Sequence, residues 1–187
     1  MQWHRNGFQL GLTALYSQFS RPLCPNTEQN YRTDYPQGYN FWNVGANYGY
    51  INSRWNVNGE SAMSGNGAFA TLNSTSFQAS KQVAITAIQR YYSAKYWTLN
   101  GNAFSEGGQT RNEMGLLLGL AWTINRFLTA NIYSDYAYFA KPRYLASVAS
   151  CAWDNLFSTV YTRNNFSFLV RYRFKIRQKD NANSTRL

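Results

Sequence analysis

The feature that most narrows what this sequence can fold into is an alternation of side chains with a period of two. It is cleanest from Phe166 to Arg177. Phe166, Phe168, Val170, Tyr172, Phe174 and Ile176 fall on one side; Ser167, Arg171, Arg173, Lys175 and Arg177 fall on the other, with Leu169 the exception. Successive side chains point to opposite faces in an extended strand, whereas a helix repeats every 3.6 residues. Asn112 to Ile124 repeats the pattern, with Met114, Leu116, Leu118, Leu120, Trp122 and Ile124 opposing Glu113, Gly115, Leu117, Gly119, Ala121 and Thr123. Phe8–Tyr16, Trp42–Tyr50, Trp55–Met63 and Leu128–Tyr138 read alike. Gln82–Tyr92 alternates less cleanly, and Ala68–Phe77 and Leu156–Thr162 are ambiguous in facing. About nine strands are expected, most of them near the roughly 9–11 residues that a tilted membrane-barrel strand requires.

Alternation leaves open which solvent meets each face, and composition bears on that. Hydrophobic residues make up 44% of the 187-residue chain and charged residues only 14%. Soluble domains average about 25% charged residues, and the chain is too apolar for disorder. Its mean hydropathy is nevertheless negative, so the apolar residues are interleaved with uncharged polar ones. A sheet lying between lipid and water needs that mixture. The aromatic residues number 12 Phe, 15 Tyr and 6 Trp, and Trp42, Tyr50, Trp55, Trp122 and Tyr138 near strand ends suit the belts found at membrane interfaces. The longest apolar run, Met114 to Ile124, covers eleven positions, where a membrane-spanning helix needs about 20. The opening Met-Gln-Trp-His-Arg has no apolar signal core, so an exported form is expected to take its signal from other sequence.

The connections are as informative as the strands. Short turns are expected near Asn52, Ala79-Ser80, Asn125-Arg126 and Arg163–Asn165, and a short loop at Ser64–Gly67. Long polar loops are expected at Ser20–Gly38, Ser93–Arg111 and Ala140–Trp153, and all four prolines (Pro22, Pro25, Pro36, Pro142) fall in loops. Counted in order, the long connections all emerge on one side and the tight turns on the other. Outer-membrane barrels show this asymmetry, with short periplasmic turns and longer extracellular loops.

Energy decides the facing. An arginine or lysine on the lipid side near the bilayer midplane costs roughly 2–4 kcal/mol. Arg171, Arg173 and Lys175 are therefore expected to face the lumen, with Arg54, Glu60, Arg90, Glu113 and Asp135. Leu116, Leu118, Leu120, Phe168, Val170 and Tyr172 are expected to face lipid. The expected fold is all-β: an antiparallel up-and-down transmembrane barrel segment over residues 1–177, followed by a polar tail at 178–187. It is expected to be incomplete, because single-chain bacterial barrels have an even number of strands. By the loop parity, the ninth strand also ends on the long-loop side.

Several segments resemble one known family. These are Gln89–Arg90–Tyr91–Tyr92–Ser93, Asn102–Ala103–Phe104–Ser105–Glu106–Gly107–Gly108, Asn112–Glu113 with Gly115–Leu116, Trp153–Asp154–Asn155–Leu156 and Arg171 to Arg177. Together, from about Gln9 to Asp180, they resemble the large Bacteroidota outer-membrane barrel proteins called helix-hairpin-helix domain-containing proteins. The resemblance implies an outer-membrane location, barrel strands on both sides of this segment, and an N-terminal helix-hairpin-helix region that this chain lacks. It implies no activity and no catalytic residue.

Catalytic readings fare poorly on the residues themselves. The single histidine, His4, lies beside a terminus expected to fray, which leaves no Ser-His-Asp set at a barrel rim. Glu113 and Asp135, on adjacent strands, and Glu60 farther along could pair as carboxylates. Lumenal carboxylates more often bind arginines, here Arg54, Arg90 and Arg171. Cys24, Cys151 and His4 have no metal-ligand spacing, and the two cysteines are expected to be free or separately packed. No enzyme, cofactor or metal is expected.

The net charge of +10 attracts anions, and the Arg171–Arg177 ladder is expected mostly to pair with acidic residues on neighbouring strands. Expected partners are outer-membrane lipid, lipopolysaccharide and the missing strands of the same protein, with anionic solutes or nucleic acid ranked lower. Asn73-Ser74-Thr75, Asn165-Phe166-Ser167 and Asn183-Ser184-Thr185 match the glycosylation pattern, in an Asn- and Ser-rich chain where chance supplies such matches. Two rivals to a porin-like structural or transport barrel remain. One is a soluble lipocalin-like barrel that binds a small apolar ligand inside; the other is a surface module that binds DNA or lipopolysaccharide.

Overall fold

A computed structural model describes residues 1–99 and 101–180. The third glycosylation match and most of the expected polar tail lie outside the described residues. The chain forms one antiparallel up-and-down sheet of ten strands, each hydrogen-bonded to the next in sequence. The strands are β1 (Gln2–Arg5), β2 (Phe8–Leu23), β3 (Gly38–Ile51), β4 (Trp55–Ser64), β5 (Phe69–Gln78), β6 (Val83–Tyr92), β7 (Glu113–Asn125), β8 (Leu128–Phe139), β9 (Ser150–Arg163) and β10 (Phe166–Arg177). One 3₁₀ turn, Asn30–Arg32, lies in the loop after β2.

The tenth strand is β1. Gln2–Arg5, where a frayed end was expected, pairs with Phe8–Gly11 through a two-residue turn. Asn6 and Gly7 both have positive φ, at 50° and 82°. That conformation suits a tight hairpin and is natural for Asn-Gly. The argument for incompleteness from an odd strand number therefore falls. What leaves the sheet open is its edges. Among the described residues, β10 pairs only with β9, and β2 beyond Leu12 pairs only with β3.

Two expected loops are shorter than the sequence suggested. β2 runs through Pro22 to Leu23, past a register shift between Gln18 and Leu23. A proline is tolerated there because an edge strand leaves its outward N–H positions unused. β9 begins at Ser150, not Leu156, and pairs with β8 over its whole first half. The loops are therefore 24–37, 93–112 and 140–149. All three lie at one end of the sheet with the short connection 65–68, while turns 6–7, 52–54, 79–82, 126–127 and 164–165 lie at the other. Side-chain bonds tie the long-loop end together: the Asn112 amide donates to the Lys141 carbonyl and accepts from the Lys141 N–H, both at 2.9 Å. Tail residue Asp180 accepts from the Ser147 N–H at 2.9 Å, so the start of the tail is docked.

The register sorts the side chains into two faces. Leu116, Leu118 and Leu120 lie across from Gln89, Ala87 and Ile85 on one side and from Tyr136, Ser134 and Ile132 on the other. Phe168, Val170 and Tyr172 share that face through β9. The opposite face carries Glu60, Arg90, Glu113, Asp135, Asp154 and Arg173, interleaved with small residues such as Gly11, Gly45 and Gly115. The apolar face stays uncovered: Leu118 is 53% exposed and Phe168 65%. Total exposed area is 13048 Å², against about 9,200 Å² for a compact globular chain of this mass.

The hairpin at Asn6-Gly7 provides a local test. A Cβ on Gly7 would lie 2.4 Å from the Ile51 carbonyl oxygen, at a φ that side chains avoid. Gly7→Ala should destabilise the β1–β2 turn by about 1–2 kcal/mol. Amide hydrogen exchange should then speed up in Gln2–Arg5 and leave β4 to β10 protected; unchanged exchange would count against the β1 pairing.

Candidate functional site

Arg90 is the residue around which the polar face is built. It comes late in β6, its side chain is fully buried, and it lies directly across from Gly115 in β7. A Cβ on Gly115 would come within 2.3 Å of the guanidinium carbon, so the glycine makes the room in which the guanidinium lies. Two carboxylates converge on it. Arg90 Nε donates to Glu113 Oε1, and Nη1 and Nη2 donate to the two oxygens of Asp135 at 2.7 and 3.1 Å. The Asp135 contact is a fork, the stronger form of arginine–carboxylate pairing.

Glu113 is 2% exposed, and its carboxylate also receives loop backbone. The Glu106 N–H donates to one oxygen at 2.8 Å and the Gly107 N–H to the other at 2.7 Å. The Phe104 ring lies 5.0 Å from the Arg90 guanidinium, and the Tyr92 hydroxyl donates to the Phe104 carbonyl at 2.8 Å. Segment 102–108 is thus folded down onto the polar face and held by the buried ion cluster.

The cluster continues to the sheet edge. Asp135 and Asp154 sit directly opposite each other on β8 and β9, a like-charge pairing that is destabilising unless relieved. Arg90 draws Asp135 one way. Arg173 and Lys175 draw Asp154 the other, with Arg173 Nε at 2.9 Å and Lys175 Nζ at 3.2 Å. Lys175 and Arg177 also donate to the Glu106 carboxylate at 2.8 and 2.6 Å. Four cations and four carboxylates therefore neutralise one another across five strands and one loop.

Of the residues expected to share the polar interior, Arg90, Glu113, Asp135, Arg173 and Lys175 are brought together. Arg171 shares their face but has no ion pair among the described residues. Arg54 does not belong there: it is exposed in turn 52–54, at the far end, beyond the strand that would have carried it inward. Glu60 lines a separate cavity of about 460 Å³ with Leu72, Tyr92, Tyr96 and Phe104. Burial, with the Glu60 charge as a smaller contribution, pushes the Tyr96 phenol up.

Asp154 and Glu106 were not anticipated as partners. Starting β9 at Leu156 hid the first, and no periodicity marks a loop residue such as the second. Cys24 and Cys151 are both free. Among the described residues no group of three His, Cys, Asp or Glu side chains could hold a metal ion. Asn73 lies within β5, bonded to Tyr48 at 2.6 Å and Gln89 at 2.8 Å, which is no place for a glycan.

The cluster makes a quantitative prediction. Removing one partner of a buried ion pair leaves the others uncompensated and costs about 3–5 kcal/mol. Arg90→Ala should show that loss in denaturant unfolding, and Gly115→Val should match it by displacing the guanidinium. Arg171→Ala should change stability little. An Arg90→Ala chain as stable as the parent would refute the central role given to this residue.

Compared with known proteins, the chain matches no family model, no curated relative and no solved structure.

Proposed function

We propose that this chain is a run of transmembrane strands from a bacterial outer-membrane β-barrel, with a structural or channel-forming role and no catalytic one. The observation that carries the reading is the division of the sheet into two faces. One face presents Leu116, Leu118, Trp122, Tyr136, Phe157 and Tyr172 uncovered, and the other buries a balanced set of ions. A soluble sandwich or lipocalin would turn the leucines inward and the ions outward. Lipid is the solvent that suits the face as found. In that setting the long-loop end is extracellular and the tight-turn end periplasmic.

The open edges shape the rest of the proposal. Hydrocarbon does not tolerate an unpaired strand edge, since each unsatisfied backbone group costs several kcal/mol. We therefore take the barrel to be larger than these ten strands, with the β10 edge and the outer edge of β2 paired by further strands of the same protein. This agrees with the resemblance to the large Bacteroidota helix-hairpin-helix barrel proteins, in which strands flank the corresponding segment. Partners in this reading are outer-membrane phospholipid and lipopolysaccharide. The alternative of a surface module that binds DNA or lipopolysaccharide would rest on the basic loops rather than on the two-faced sheet.

Spin labels along β7 test the reading in lipid bilayers, in a background with Cys24 and Cys151 replaced by serine. Labels at 116, 118 and 120 should be reached by oxygen dissolved in the bilayer, and labels at 117 and 119 by a water-soluble relaxant. Loss of that alternation, or a monodisperse chain without detergent, would overturn the membrane assignment.

A further inference from the structure

The three long loops enclose a second cavity, of about 270 Å³, whose charge balance differs from that of the ion cluster beside it. Four cations line it, Arg111, Lys141, Arg143 and Arg177, against two acids, Asp34 and Glu106. Glu106 is already committed to Lys175 and Arg177. Among the described residues neither Arg111 nor Arg143 makes an ion pair, with Asp34 or any other acid. The Nε of Arg143 is buried and has no hydrogen-bond partner there. Burial pulls both guanidinium pKa values down, and for Arg143 the Arg177 charge adds to the effect.

Both guanidinium groups lie over aromatic rings. Arg143 lies over the Phe139 ring at 3.4 Å, and Arg111 over the Tyr35 ring at 4.6 Å. A guanidinium presents its N–H donors in a planar fork that matches a planar or tetrahedral oxyanion. The loops that carry the two arginines are fastened beside them, since Asn112 follows Arg111 and clamps the backbone of Lys141, two residues before Arg143. The site thus carries two more cations than acids, on loops that are tied together beside the two arginines.

We infer that this three-loop cavity binds a small oxyanion of the phosphate class, with Arg111 and Arg143 donating to it and Lys141 at its rim. The chemistry is that of a phosphate or phosphomonoester, which either a free solute or a lipid headgroup could supply. Where the loops are extracellular, the cavity would meet the anion at the barrel mouth, so its placement rests on the membrane reading; the binding itself does not.

Titration calorimetry with inorganic phosphate on the whole chain in detergent micelles tests this, with circular dichroism confirming the β fold of each variant. Binding should be saturable at one site and weakened about tenfold or more by Arg111→Gln or Arg143→Gln, the size of one lost charge-assisted hydrogen bond. Lys81→Gln, in a turn at the opposite end, should leave it unchanged. Should Arg143→Gln fail to fold, Arg143→Lys keeps the charge but loses the fork, and should weaken phosphate binding as well. Competition by phosphatidic acid in the micelles would assign the lipid headgroup, and its absence the soluble anion. No saturable binding, binding insensitive to both arginines, or binding of long nucleic acid alone would overturn the inference. A chain that stays in solution without detergent yet binds phosphate would instead defeat the membrane reading and leave this one standing.

Discussion

The polar face from β6 to β10 and the loop segment folded over it depend on the burial of one guanidinium. Taking a charged group out of water costs several kcal/mol after relaxation, and mutual attraction repays it only when the hydrogen-bond geometry is complete. Arg90 meets that condition through three donors to two carboxylates. Glu113 in turn takes two backbone N–H groups from residues 106 and 107. A loop of roughly twenty residues would ordinarily be the most mobile part of a sheet. Here the Glu106 and Gly107 N–H groups donate to Glu113 and the Phe104 ring lies against Arg90, so the loop conformation and the strand cluster stabilise each other.

The room for that cluster comes from the pleat. Because neighbours in sequence point to opposite faces, the bulky Leu and aromatic residues on one side of β7 are mostly spaced by small residues on the other, Gly115, Gly119 and Ala121, with Leu117 the exception. The polar face therefore has depth for a full arginine side chain, and the same alternation leaves the other face densely apolar. Ion burial on one side and apolar exposure on the other thus follow from one pattern. A substitution that shifted the register by one residue would exchange both faces at once.

Much of this was legible in the sequence, for a physical reason. Strands with one polar and one apolar face announce themselves by period two, so β7, β8 and β10 were read nearly to the residue, as were the side of each loop and the placing of Arg90, Glu113 and Asp135 on one common face. Signals other than alternation were harder to see. β1 is four residues long and is fixed by the backbone of Asn6-Gly7 rather than by its own pattern. The start of β9, Ser150 to Asn155, mixes Ala, Asp and Trp in a way that reads as loop until β8 pairs with it. Arg54 was assigned by its charge, but its position is set by the Asn52 side chain, which accepts from the Arg54 and Trp55 N–H groups and closes the turn early. Glu106 is placed by a tertiary contact that no local rule encodes.

The acidic residues distinguish the two ends of the sheet. Arg5, Arg54, Lys81, Arg126 and Arg163 lie in or beside the five tight turns, one to each, and all are exposed. All of the chain's 8 acidic residues lie in the long loops, in the docked tail or on the polar face. Since the eight members of the Arg90 cluster cancel, half of the net charge of +10 is concentrated at the tight-turn end with no acid to offset it. Stacking relieves part of this, with Arg126 and Arg163 lying 4.4 and 5.7 Å from the Phe127 ring. The rest must be screened from outside, by salt within a Debye length of about 8 Å or by an anionic surface, where each cation gains about 1 kcal/mol. The turns that close the hairpins thus carry five cations and no acid, whereas the long-loop end offsets part of its positive charge with Glu28, Asp34 and Asp180.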